Sequence, residues 1–137
     1  MRKFGIVLAS AVFACAHQQP PIPAQQESTR KYVVIIGANN AGTETVTTNG
    51  YDRTIDFEFN DRGRGPKTHT VITLDERGMP VSEITTGNDY LKAPVEERLH
   101  VSGGKAHYEN KAEHGDGDPH AFYASMYGPP EEAGLLA

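Results

Sequence analysis

A mainly antiparallel β fold, a meander forming a curved sheet or half-barrel with a short C-terminal helix, is the fold class this sequence predicts. Three observations carry the prediction. From Lys31 onward, apolar and β-branched residues recur with period two, the spacing of strands with one buried face. Turn residues break these runs about every ten positions, as in an all-β meander. Glycine (14) and proline (9) are also too frequent for a helical bundle. The 137 residues suffice for one domain with its own core and fall short of two. A net charge of −5 and a pI near 5.6 exclude a general binder of phosphate backbones, so no nucleic-acid partner is expected. The single cysteine excludes an intrachain disulfide framework, and stability must come from strand pairing and burial.

The first element is an address. Met1-Arg2-Lys3 is a short basic start, and Phe4 to Ala14 is an apolar run of the length of a secretory h-region, too short to span a bilayer. Residues 1–16 are therefore read as a signal peptide and set apart from the fold. Ala14-Cys15-Ala16 fits ordinary signal peptidase, whereas Val12-Phe13-Ala14-Cys15 resembles a lipobox with Cys15 as the lipidated residue, although Phe13 fits it poorly. Both readings imply export to the periplasm or envelope, the second with membrane attachment through a lipid on Cys15. The Pro/Gln-rich residues 17–30 are expected to be a linker or tether.

The β domain is expected over residues 31–127. Lys31 to Gly37 is a continuous apolar run, which predicts a strand buried on both faces. Ala38-Asn39-Asn40-Ala41 is expected to turn the chain into a threonine-rich strand, Gly42 to Thr48. Asn49-Gly50 suits the two central positions of a type I′ hairpin, with Tyr51 to Asn60 as the partner strand. There Ile55, Phe57 and Phe59 alternate with Thr54, Asp56 and Glu58, so one face is core and the other solvated. A second hairpin joins Thr68–Leu74 to Val81–Thr86 through Asp75-Glu76-Arg77-Gly78, a type I turn closed by a left-handed glycine. A third pairs Val95–Val101 with Lys105–Lys111. A two-residue Gly103-Gly104 turn would set Val101 against Ala106 and Leu99 against Tyr108, whereas a three-residue loop would set Leu99 against His107, so the two-residue turn is predicted. After Glu113 a mobile Gly/Asp loop is expected, then Ala121 to Tyr127. Pro129-Pro130-Glu131-Glu132 begins a helix over residues 128–137, with proline and acids in its first turn. The uncapped apolar close, Gly134-Leu135-Leu136-Ala137, is expected either of a helix cut short or of a frayed terminus.

Several groups are candidates for chemistry. The predicted register places His100 opposite His107 on the outer face, where two imidazoles could grip a divalent metal or form a solvated cross-strand pair. His114-Gly115-Asp116-Gly117-Asp118-Pro119-His120 adds His114 and His120 as possible ligands, without the calcium-loop pattern that ends in a bidentate Glu. Asn60-Asp61-Arg62-Gly63-Arg64-Gly65-Pro66-Lys67 gathers Arg62, Arg64 and Lys67. These could meet an anion or a neighbouring domain, or Arg62 and Arg64 could pair with Asp56 or Glu58. The loop Gly87 to Pro94 offers Asn88-Asp89 for a tight turn and Tyr90 and Leu91 to plug a sheet edge. No Gly-x-Ser-x-Gly context or mature-chain cysteine supplies a nucleophile, and no catalytic residue is assigned.

The loops Asn60–Lys67 and Gly87–Pro94 carry a resemblance. So do Thr54-Ile55-Asp56-Phe57-Glu58-Phe59 and Tyr127-Gly128-Pro129-Pro130-Glu131-Glu132. Together they resemble the N-terminal β region of secreted bacterial amidohydrolase-superfamily proteins, over about Tyr32 to Ala137. In that group the β region precedes a metal-dependent (β/α)₈ barrel that hydrolyses amide or related bonds with metal-activated water. The resemblance implies an accessory domain whose partner is the hydrolase barrel, with the divalent metal bound there and no cofactor in this chain. The family's His-x-His, later metal-ligand histidines, bridging lysine and catalytic aspartate have no counterpart in this sequence, so none is carried over. The alternative reading is a stand-alone envelope lipoprotein that binds a ligand or another envelope protein on its sheet.

Overall fold

In the computed structural model, residues 27–135 are described. The proposed signal peptide, Cys15 and most of the linker lie outside them. Eight strands follow one another as a meander: β1 Ser28–Ile36, β2 Asn39–Asn49, β3 Asp52–Phe59, β4 Lys67–Leu74, β5 Pro80–Asn88, β6 Pro94–Ser102, β7 Lys105–Glu109 and β8 His114–Gly117. Each pairs antiparallel with its sequence neighbours in one sheet, β1 and β8 form the two edges, and the sheet does not close. A short helix, α1 Pro130–Gly134, follows. The mainly β, antiparallel architecture expected from the period-two pattern is the one observed.

One face of the sheet is covered. Its rows run across the strands by the pairing register: Glu44–Phe57–Thr68–Gly87–Val95 in one, Val46–Ile55–Thr70–Thr85–Glu97 in the next, then Ile72–Glu83–Leu99–Tyr108. Val46, Ile55, Ile72 and Leu74 form the buried apolar cluster, with Leu135 packed against it. Burying one such side chain fully contributes about 1.5–3 kcal/mol. Alternation in β3 is as predicted, with Ile55 and Phe57 buried and Asp56 and Glu58 exposed.

Turn chemistry sets the registers. Asp75 organises the β4–β5 turn: its side chain accepts from the backbone N–H groups of Arg77 and Met79, both at 2.9 Å, while Gly78 N–H donates to the Asp75 carbonyl at 3.0 Å. Gly78 takes φ +81°, the left-handed conformation this turn needs. Pro80 sits at a bulge that opens β5, where no ladder N–H is required. Gly103 and Gly104 form the two-residue turn predicted, with Leu99 opposite Tyr108, His100 opposite His107 and Val101 opposite Ala106.

Four expectations are corrected. β1 begins at Ser28, inside the expected linker, and is an exposed edge, with Val33 and Ile35 56% and 59% accessible. A continuous apolar run is equally the mark of a central strand, and the run itself does not say whether a neighbour exists. The first turn is Gly37-Ala38, both at positive φ, so the Asn39-Asn40 pair belongs to β2. The β2–β3 turn is centred on Gly50-Tyr51, because Asn49 pairs with Asp52; a single glycine at the first central position suffices for it. Finally, His114–Gly117 is a strand on the β7 edge, with His107 opposite Asp116, where a mobile loop was expected.

Candidate functional site

Acidic residues in strand phase with the core make the least expected feature of the covered face. Glu44, Glu83 and Glu97 share it with the apolar cluster and are buried. The chain after β8 returns over them. Ser125 N–H donates to Glu132 Oε1 at 2.6 Å and its hydroxyl to Glu97 Oε2; Tyr127 N–H reaches Glu97 Oε2 at 3.2 Å. Glu131 N–H donates to Glu44 Oε1 at 3.0 Å, and Arg30 forms an ion pair with Glu131. Tyr123 stacks on Tyr108 with centroids 6.2 Å apart. The C-terminal segment is thus a strap whose backbone N–H groups are accepted by buried carboxyl oxygens.

Glu132 enters this face from α1. The helix begins as its sequence predicts, with Pro129 at the N-cap and Glu131 and Glu132 in its first turn, yet Glu132 points into the protein. Gly128 gives it room, since a Cβ there would collide with Glu132 Oε2. Burial pushes the carboxyl of Glu83 up to about 8, with repulsion from Glu132 and then Glu97 adding to it. Burial likewise pushes Glu132 to about 7, against the opposing bond from Ser125 N–H. Glu44 is raised by burial, and the Tyr123 phenol is pushed to about 12 by burial beside these acids.

The two loops singled out in the sequence form one unit. Tyr90 Oη donates to Asp61 at 2.8 Å, Gly65 N–H donates to the Tyr90 carbonyl at 3.0 Å, and Lys92 Nζ donates to the Gly65 carbonyl at 2.7 Å. The Arg64 guanidinium lies 5.2 Å from the Tyr90 ring centroid, a cation–π contact. Tyr90 is therefore engaged with the arginine loop as well as with the sheet, its ring 6.2 Å from that of Phe59. Gly63 N–H is taken by Asn60 Oδ1 at 2.7 Å. Arg62, at φ +56° on the turn, projects into solvent with Asp61 3.9 Å away. Lys67 pairs with Glu58 at 3.0 Å, and Asp56 with His69 at 2.8 Å, so those acids are not the partners of Arg62 and Arg64.

The predicted histidine pair is in place on the outer face. His100 and His107 share a cleft with His114 and Asp116, whereas His120 lies beyond β8, its N–H bonded to Asp118 Oδ1 at 2.8 Å. Asp116 accepts from Lys105 at 3.0 Å and bonds His107 Nδ1 at 2.7 Å; the Lys105 bond first, then His107, holds its carboxyl below the usual range. Among the described residues no group of three or more His, Cys, Asp or Glu is placed to hold a metal ion.

The signal for the acid cluster in the sequence is strand phase, which the polarity of glutamate masks. Glu97 lies two positions from both Val95 and Leu99, and Glu44 two from Val46, so strand phase puts them on the core side. No protein-family model, curated protein or solved structure matches the chain.

Proposed function

We propose that this chain is the non-catalytic N-terminal β domain of an exported, metal-dependent hydrolase of amidohydrolase type, escorting a barrel that carries the metal and activates the attacking water. One observation carries the reading. The residues that bear the resemblance, separated by tens of positions in sequence, serve as framework: the loops around Asp61, Arg64 and Tyr90 are latched together, and Tyr127 and Glu132 seat the strap. Arg62, exposed at the tip of the latched loops, is the contact offered to the neighbouring domain. The test is to read the gene beyond the codon for Ala137 and to assay the full chain. An open frame encoding His-x-His and the later ligands, with no turnover of peptides or cyclic amides by the chain itself, supports the proposal. An immediate stop, or turnover lost on chelation, overturns it.

A second reading, a lipid-anchored envelope protein that meets a partner on its sheet, draws on the exposed apolar β1 edge, a surface open to strand addition. Metabolic labelling with a fatty-acid analogue should mark Cys15 if it holds, and an unlabelled mature chain would remove it.

A further inference from the structure

Three carboxyl groups meet beneath the strap in a way that hydrogen bonds within the protein do not satisfy. Glu83 and Glu97 are each 2% exposed and Glu132 is 4% exposed. Glu83 Oε2, Glu97 Oε1 and Glu132 Oε2 are all buried without a hydrogen-bond partner. The other oxygens are occupied: Thr85 donates weakly to Glu83 Oε1 at 3.4 Å, Ser125 serves Glu132 Oε1, and Ser125 and Tyr127 serve Glu97 Oε2. Bare carboxylate oxygens packed together in an interior are doubly unfavourable, through lost solvation and through mutual repulsion. A proton on one group answers both, since it cancels a charge and turns an acceptor into a donor for the next oxygen.

The surroundings supply no other remedy. From β2 comes Glu44, from β4 Thr70, which bonds Thr85 at 2.9 Å, and from the strap Tyr123 and Glu131. Glu113, between β7 and β8, adds negative charge beside Tyr123. Arg30 of β1 reaches Glu131 and acts on Glu44, but among the described residues Glu83, Glu97 and Glu132 form no ion pair.

We infer that Glu83 and Glu132 hold protons beside Glu97 while the strap is seated, and that losing those protons to solvent releases it, making residues 121–135 a proton-operated cover over the sheet. Released, Glu83 and Glu132 are solvated and titrate near their ordinary value of 4.5; seated, they hold protons to about 8 and about 7. The seated form therefore binds more protons between these limits. Its advantage is complete below the released value, falls as pH rises, and is exhausted once Glu83 has ionised. The seated population should drop by up to about tenfold per pH unit for each extra proton held. The inference is independent of whether a barrel follows.

Hydrogen exchange on the full chain tests it, comparing the Ser125, Tyr127 and Glu131 amides with that of Ile72 in the sheet after correction for intrinsic rates. Between about pH 5 and about pH 9, strap protection should fall at least about tenfold more than sheet protection. Glu83→Gln, neutral at every pH, should remove most of that difference, and Glu132→Gln serves if the first variant does not fold. Strap and sheet amides that keep step across the range would overturn the inference, as would a variant that leaves the difference unchanged. A profile displaced by EDTA would also overturn it, because a cation would then be filling the cluster.

Discussion

Gly87 stands in the middle of a row of the covered face, at φ +137°, where a Cβ would press on the Lys67 carbonyl and the Thr68 backbone. Two penalties combine there, a conformation L-residues avoid and a contact with backbone that cannot yield. Gly87→Ala should destabilise the protein by about 1–3 kcal/mol, visible as a lower urea midpoint with unchanged slope. A midpoint equal to wild type would show that β4 and β5 can part at this position without cost. The same face shows how much single residues disclose. Ile55 and Phe57 were legible as core because apolar side chains alternate there with Asp56 and Glu58. For Glu97 strand phase gave the face, but the burial of Glu83 and Glu97 depends on a strap that arrives from tens of residues away.

Hairpins are the scale at which the sequence is most informative, because a turn needs only its own residues. Asp75 and Gly78 specify the β4–β5 connection, and Gly103-Gly104 specifies a register that hydrophobic matching of Leu99 with Tyr108 then confirms. The bond from Met79 N–H, then that from the Arg77 side chain, holds the Asp75 carboxyl below its ordinary value of 3.8. A depressed carboxyl stabilises the turn above its unfolded pKa, and that support is lost as pH falls through the folded one. The Met79 amide should therefore lose exchange protection on acidification below about pH 4 while the sheet amides keep theirs, and Asp75→Asn should show the weaker protection already at neutral pH. Protection insensitive to both changes would assign the turn to Gly78 alone. Where the local signal was ambiguous the reading slipped. Asn49-Gly50 and Gly50-Tyr51 both accommodate a turn, and only the pairing of Asn49 with Asp52 chooses between them. The short β8 lacks apolar residues altogether, and the ladder to β7 creates it.

Across the whole molecule, every pair of neighbouring strands is also adjacent in sequence, so the sheet can zip from any hairpin. The strap is the exception: Glu131 meets Glu44 across a separation of 87 residues and Arg30 across 101. Its carboxylate anchors lie on β2 and β6, and Glu132 must find Glu83 and Glu97 already diagonal to one another across the β5–β6 ladder. A β5–β6 hairpin alone offers that arrangement, but Glu44 joins it only when β2 to β6 are in place. Seating is therefore expected to come late in folding, after the strands between β2 and β6 have joined in the right register. Ser125→Ala, which removes a bond to buried Glu97, should cost about 1–3 kcal/mol. Nearly all of that cost should appear as faster unfolding, with a φ-value below about 0.3 in denaturant-jump kinetics. Slower folding with unchanged unfolding would mean that the strap guides assembly of the sheet. A cover that can close only on a finished sheet also leaves at first unfolding, which makes its loss the earliest sign of damage to the domain and its open form the species that a protease would meet.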